Sequence, residues 1–404
     1  MWIEEKNCYN LSAWSLIGEI LHTDTILGMP FGAAKLTLAL SSVSTAQDTK
    51  TDLRTQMKET FETLAAKFPR LKEQADSVEG VNIYFCGGGF RGYGSMLMHT
   101  DPIQPYPISS IGGYTVPGNQ FMKWREMLHT NNYEEGKIFG MSKRRREQFP
   151  AIVTVVQSLV EAIPKIGKVT FCSGGNREGV LYMKLPKQMR ESHPVPLFPF
   201  GGISHDADLI QAVTNLIITA LPSNSPIVFS KELIHYLVQN LWQDLGEAED
   251  ANSARAIHLP TSGDISGLPG LTHETRGILA LSLCERWGSD LGTADLKLRD
   301  SLRALVGLSQ GWWCDYIGTI CRLIGTLIPV FPSSKEVLAK MVSFKAATSH
   351  GLGKKGHKVG IRLTIKASKA SRLGLNDGTL EDLFSKVGKG TSMGWKVEAE
   401  IEDI

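Results

Sequence analysis

The sequence predicts an α/β region followed by a mostly α region and a small α+β module at the carboxyl end. Three observations carry that reading. Residues 1–190 alternate short apolar, strand-like runs with helix-like stretches. Residues 206–345 read as one helix after another. Beyond Ser349-His350-Gly351-Leu352-Gly353 the alternation of a strand returns, and residues 346–404 form a small, locally basic module. A chain of 404 residues is expected to hold two or three domains. The Pro- and Gly-rich stretch 191–205 is the natural linker between the first two.

Composition narrows the class. With 42% hydrophobic residues and 21% charged ones, the chain is an ordinary globular protein. A net charge of +2 gives no global reason to expect DNA binding. The cysteines Cys8, Cys86, Cys172, Cys284, Cys314 and Cys321 are scattered with no CxxC pair. Neither a zinc site nor a disulfide framework is indicated, and a reducing compartment is the default. No apolar run approaches the ~20 residues of a membrane span, and Met1-Trp2-Ile3-Glu4-Glu5-Lys6 does not resemble a targeting segment.

In order along the chain, Thr23 to Met29 reads as a strand and Pro30-Phe31-Gly32 as a turn. A helix begins at Ala33 and a second spans Asp52 to Ala75, where Leu53, Met57, Phe61, Leu64 and Phe68 recur at helical spacing. Ile83 to Cys86 is a buried-type strand. Pro102 to Pro117 reads as a loop and Asn119 to His129 as a helix. Ser142 caps a short turn, and a longer helix runs from Pro150 to Ile163. Gly167 to Phe171 is another strand, with a helix-like stretch at Gly179 to Leu185. Helices are predicted over 207–220, 231–242, 272–287, 294–306, 310–327 and 335–344, with a loop over 246–270. Val359 to Ala367 and Trp395 to Ile401 read as strands around a helix at 379–387.

One phrase occurs twice. Phe85-Cys86-Gly87-Gly88-Gly89-Phe90-Arg91 returns as Phe171-Cys172-Ser173-Gly174-Gly175-Asn176-Arg177. Each copy follows a strand and opens a helix. Consecutive glycines there let the backbone approach an anion closely, and the helix N-terminus aims its free N–H groups at it. The candidate binding residues are therefore Gly87, Gly88, Gly89 and Arg91 in the first loop and Ser173, Gly174, Gly175 and Arg177 in the second. Gly87, Gly89 and Gly92 also satisfy GxGxxG. A dinucleotide site wants an acid about 20 residues on, where this chain has Ser109, Ser110, Gly112 and Gly113. Close strand-to-helix packing explains the same glycines without a ligand. Arg177 could grip a phosphate or make a structural ion pair under its loop, and the structural role is slightly favoured.

Other features have weaker claims. Lys143-Arg144-Arg145-Arg146 reads first as a solvated helical turn and second as a polyanion patch. His205-Asp206 lacks the partner ligands that an HD metal site needs. Ser15, Ser95 and Ser173 have no neighbouring His to activate them. No catalytic or metal-binding residue is nominated. Trp312-Trp313, with Tyr316, Ile317 and Ile320, reads as core or a domain interface.

Two stretches carry a family resemblance. Ser173-Gly174-Gly175-Asn176-Arg177-Glu178-Gly179-Val180-Leu181 is similar to the SGGxREGxL stretch of the Ppx/GppA (exopolyphosphatase / guanosine pentaphosphate phosphatase) family. Gly28-Met29-Pro30-Phe31-Gly32-Ala33-Ala34-Lys35-Leu36-Thr37 resembles that family's S-x-P-x-G-A-x-x-L-T segment. Tyr106-Pro107-Ile108, Gly311-Trp312-Trp313 and Gly360-Ile361-Arg362-Leu363-Thr364-Ile365 point further, to a fungal regulatory branch. The resemblance implies an actin/Hsp70-like ATPase fold of two RNase H-like lobes around a phosphate cleft. Gly87 to Gly89 would be its adenosine-side loop. The family's DxGSN and DxGGGS phosphate loops and its catalytic Glu are not found. The expectation is therefore an incomplete lobe, lacking the first lobe and the first hairpin of the second, with Met1 to Leu21 unplaced.

The function so implied is regulatory: mitochondria-to-nucleus retrograde signalling, by capture of a protein that is a negative regulator of transcription. The chain would be cytoplasmic, with the nucleus as a second location. No cofactor is expected in this chain, whereas ATP or another nucleotide with Mg would suit a complete cleft. The alternatives are phosphohydrolysis of polyphosphate or guanosine pentaphosphate, and a non-catalytic fragment.

Overall fold

The computed structural model describes residues 2–5, 8–11, 27–195, 206–223, 225, 229–243, 248–372, 375–388 and 394–404. Ser15, His205, the first part of the predicted strand at 23–26 and most of the predicted linker lie outside them. The chain divides into two compact units: Met1–Ser192 with Pro269–His273, and His193–Leu268 with Glu274–Ile404.

The first unit is built on one six-stranded sheet. Its strands are β1 (Trp2–Glu5), β2 (Cys8–Leu11), β3 (Leu27–Met29), β4 (Val81–Phe85), β5 (Tyr114–Pro117) and β6 (Ile166–Phe171). The spatial order is β3-β2-β1-β4-β6-β5. β1, β2 and β3 pair antiparallel, while β1, β4 and β6 run parallel. This is the order of an RNase H-like lobe, with β5 added antiparallel at the edge. It corrects one expectation: the lobe's first hairpin is present, formed by residues the sequence left unplaced. The loop read over 102–117 likewise contains β5.

Helices of this unit are α1 (Ala33–Ser41), α2 (Val43–Lys67), α3 (Pro69–Asp76), α4 (Gly88–His99), α5 (Gly118–Phe121), α6 (Trp124–Tyr133), α7 (Lys143–Ala162), α8 (Asn176–Lys184) and α9 (Lys187–Glu191). The single helix predicted over 52–75 is two, because Pro69 starts α3 and disfavours helical backbone at Phe68. Conversely, α7 runs unbroken from the Ser142 cap through Pro150. Proline removes the N–H that would meet the Arg146 carbonyl. The Asn131 side-chain amide donates to that oxygen instead, at 3.3 Å. The core lies between α2, α4 and α7 and the covered face of the sheet. Leu53, Met57, Phe85, Tyr93, Val155 and Val169 are all fully buried there.

The second unit holds α10 (Ala207–Thr219), α11 (Lys231–Gln239), α12 (Glu249–His258), α13 (His273–Arg286, entered from the first unit), α14 (Thr293–Leu327) and α15 (Lys335–Met341). A three-stranded sheet follows, with β7 (Val342–Leu352), β8 (Lys358–Ala367) and β9 (Lys396–Asp403) in that order, and α16 (Asp377–Ser385) precedes β9. The two helices predicted over 294–306 and 310–327 meet at a kink at Gly307, whose φ of 83° breaks α14. The loop predicted over 246–270 contains α12, and β7 begins at Val342 inside the helix predicted to reach 344. Trp312 and Trp313 are core, as read: both pack edge-on against Trp395 of the C-terminal module. Asp315 is buried with a paired Arg303 at 2.7 and 2.8 Å and accepts from the Gly388 N–H at 3.2 Å. Burial pushes its carboxyl above the usual range, and the Arg303 charge opposes that shift.

Candidate functional site: two glycine loops at the ends of parallel strands

β4 and β6 lie side by side, with Phe85 opposite Phe171. The two copies of the repeated phrase therefore emerge together from the carboxyl ends of these neighbouring strands. Arg91, on α4, reaches across and donates from Nη1 to the Gly174 carbonyl at 2.8 Å. The structure thus brings both predicted loops into one neighbourhood, with a predicted residue as the tie.

The loops differ in what their helix N-termini face. Gly87 has φ of 111°, a conformation open to glycine, and turns the chain sharply into α4. Gly87, as the residue before this helix, brings no capping side chain of its own. A Cβ added at Gly88 would meet nothing, so its side faces open space. That space is a cavity of about 300 Å³ between the first turns of α4 and α7, lined on one side by Gly88, Gly89 and Gly92. The opposite wall carries Ser142, Arg144 and Arg145. Arg144 is exposed, while Arg145 is half-buried and donates to the Gly140 carbonyl at 2.6 Å. Phe149 and Ile152 supply an apolar floor. Ser142 caps α7 by accepting from the Arg145 N–H at 3.3 Å. The positive charge of Arg144 and Arg145 beside the start of α4 is therefore what favours an anion here, and the floor favours an attached apolar ring.

The second loop is closed on itself. Gly174 has φ of 87°, and the Gly175 N–H donates to Glu178 Oε2 at 2.8 Å. Hydrogen bonds from its own backbone N–H and from Gly175, with Arg91 and Arg177 nearby, hold the Glu178 carboxyl below the usual glutamate range. The donor that an incoming anion would use is already taken. Ser173 is exposed and abuts Gly112, where a Cβ would come within 2.7 Å of its own. Arg177 is exposed on the first turn of α8 and is not tucked under the loop as an ion pair, contrary to the reading slightly favoured from sequence. None of Ser173, Gly174, Gly175 or Arg177 lines the cavity.

Sequence reasoning missed α7's share. The run Lys143-Arg144-Arg145-Arg146 was read first as a solvated turn. Ser142, the cap of that helix, marked the position of the N-terminus. The cue to the cavity was that its basic first turn follows a cap, as the first glycine loop opens a helix. A strap from far along the chain also belongs to this unit. The His273 N–H donates to the Gly113 carbonyl at 3.0 Å, and Tyr106 Oη and His273 Nδ1 share a hydrogen bond of 2.8 Å. Among the described residues no cluster of three or more His, Cys, Asp or Glu is placed to hold a metal, and no helix is long and apolar enough to cross a membrane.

Comparison with known proteins gives two family matches. Residues 37–188 match the Ppx/GppA phosphatase family, and residues 204–402 match the RTG2 C-terminal domain. Retrograde regulation protein 2 of Saccharomyces cerevisiae is 28% identical over 328 residues, which cover 76% of this chain and 54% of that protein. The chain therefore spans about half the length of this curated relative. Among solved structures, the type II variant of the Aquifex aeolicus Ppx/GppA phosphatase aligns over 46% of this chain and 56% of that one, at 16% identity and a TM-score of 0.29.

Proposed function

We propose that this chain, which joins a Ppx/GppA phosphatase-family region to an RTG2 C-terminal domain, is a ligand-sensing regulatory protein of mitochondria-to-nucleus retrograde signalling. The observation that carries the sensing role is the cavity between α4 and α7, with Gly88, Gly89 and Gly92 on one wall and Arg144 and Arg145 on the other. Its ligand is a nucleotide or another phosphate-bearing molecule. The phosphate sits beside Arg144 at the cavity wall, and the base or ribose lies over Phe149 and Ile152. The relative's name supports a regulatory role. Output is by protein binding: the partner is a negative regulator of a transcription pathway, held or released according to ligand state. The place of action is the cytoplasm, with the nucleus as a second location.

The physical argument against turnover is geometric. Phosphoanhydride hydrolysis needs converging phosphate loops, usually with metal, and a carboxylate to orient water. Here the first glycine loop faces arginines and apolar side chains, and Glu178 is engaged with its own loop. The test is calorimetric titration of the full chain with ATP, GTP and inorganic tripolyphosphate, followed by phosphate-release assays with the same compounds. Saturable binding without release above buffer background is expected. Release that copurifies with the protein and needs a divalent metal would support the phosphohydrolase alternative. No binding by any of the three would remove the sensing role.

A further inference from the structure

We propose that Cys86 and Cys172 form a redox-active dithiol that a hydroperoxide closes to a disulfide across the ends of β4 and β6. This inference stands whether or not the neighbouring cavity holds a ligand. Each cysteine directly precedes one of the two glycine loops. The parallel register pairs Phe85 with Phe171, so the next residues in each strand, Cys86 and Cys172, are lateral neighbours on the same face. The Cys172 N–H donates to the Phe85 carbonyl at 2.8 Å, which holds the two strand ends together up to the cysteines. Parallel neighbours stand about 4.8 Å apart, inside the roughly 4.4–6.8 Å window of Cα separations that a disulfide spans.

The two thiols also shift each other's acidity. A side-chain hydrogen bond from Cys172 pulls the Cys86 thiol below its ordinary value, the Arg91 charge adds to this, and burial opposes it. The same hydrogen bond and burial push Cys172 up. Cys86 is thus the attacking sulfur and Cys172 the resolving one. Both are half-buried, which leaves a path for a molecule as small as hydrogen peroxide. They lie on the same face as Tyr84, which is 46% exposed. Three cysteines of the second unit contrast with this pair. Cys284, Cys314 and Cys321 are buried, and burial raises all three thiols.

The chemistry balances as follows. The Cys86 thiolate attacks one oxygen of hydrogen peroxide; an S–O bond forms, the O–O bond breaks, and hydroxide leaves. The Cys172 thiolate then attacks the sulfenic sulfur, forming S–S and expelling the oxygen, which departs as water once protonated. The sulfurs are oxidised by two electrons in total and the peroxide is reduced. In a reducing compartment a thiol pair of this kind is expected to cycle rather than to persist as a structural bridge.

The test uses the full chain, first reduced, then exposed to stoichiometric hydrogen peroxide, alkylated and digested with trypsin. The expected product is a disulfide joining the peptides Glu73–Arg91 and Val169–Arg177, each of which contains one of the pair and no other cysteine. In the reduced protein at neutral pH, Cys86 should alkylate about tenfold faster than Cys172. The variant Cys172→Ser, checked for a native circular-dichroism spectrum, should trap Cys86 as a sulfenic acid that dimedone labels. Recovery of both cysteines as free thiols would overturn the proposal. So would Cys86 bridged mainly to another cysteine, or Cys86 oxidation unchanged by Cys172→Ser.

Discussion

The two glycine loops began as near copies of one phrase and ended with different occupations. Both leave parallel strands at the same level, and both contain a glycine with positive φ, at 111° for Gly87 and 87° for Gly174. Both open a helix. After that they part. In the second copy, an acid three residues on from Gly175 returns to take its N–H. In the first, the corresponding position after Gly89 is Gly92, which has no side chain to return, and Gly88, Gly89 and Gly92 line a cavity. A glycine-rich strand-to-helix turn is therefore permission for anion binding and not evidence of it. What decides is what the rest of the chain brings against the turn: its own acid in the second copy, and the basic first turn of α7 across a cavity in the first.

This comparison can be broken or sharpened by four experiments. The largest effect is expected where the loops are still equivalent. Phe85→Ala and Phe171→Ala each remove a fully buried ring beneath a loop, and each should cost about 3–5 kcal/mol in urea unfolding. A loss for one several times that for the other would show that the two strands do not bear the sheet equally. Next come Gly87→Ala and Gly174→Ala, each destabilising by about 1–2 kcal/mol because an L side chain is strained at positive φ. Their losses in stability should be similar, while only Gly87→Ala should weaken ATP binding. Equal loss of binding for both would make the second loop part of the site.

The third experiment separates the arginines. Arg144→Ala, on the cavity wall, should weaken binding of ATP about tenfold, the worth of one charge-assisted hydrogen bond. Arg177→Ala, on the closed loop, should leave the affinity unchanged; the reverse ranking would move the site to the second copy. The smallest effect is electrostatic. Because the folded Glu178 carboxyl lies below the ordinary value, its contribution is fully present above the unfolded value and is lost as pH falls through the folded one. The melting-temperature gap between the parent chain and Glu178→Gln should therefore shrink on acidification from neutral pH to below that range. A gap that widens on acidification would contradict the self-capping assignment.

Much of this was legible locally. The helix periodicity of Leu53, Met57, Phe61 and Leu64 and the cap at Ser142 name their elements directly. Trp312 and Trp313 announced a buried stripe. The errors have common causes. Pro150 suggests a helix start but lies inside α7, where Asn131 supplies the missing partner for the Arg146 carbonyl. Pro69, by contrast, ends the helical pattern, with Phe68 held in a non-helical conformation before it. Strand β5 hid inside a stretch rich in Pro and Gly, because an edge strand needs only one neighbour and tolerates a proline at its end. The first hairpin carries no strong alternation. It is a strand pair because β4 offers a free edge, with Trp2 opposite Phe85.

By itself, the sequence determined the order of α/β, helical and α+β regions and the two glycine turns. These follow from periodicity and backbone permission, which act between residues a few positions apart. Tertiary structure alone decided which turn lines a cavity, that the basic first turn of α7 forms the opposite wall, and that Cys86 and Cys172 stand side by side. Those outcomes depend on which groups distant in sequence the sheet register and helix packing bring together. A hydrogen bond or cavity wall depends on that proximity, and a local pattern carries no record of it.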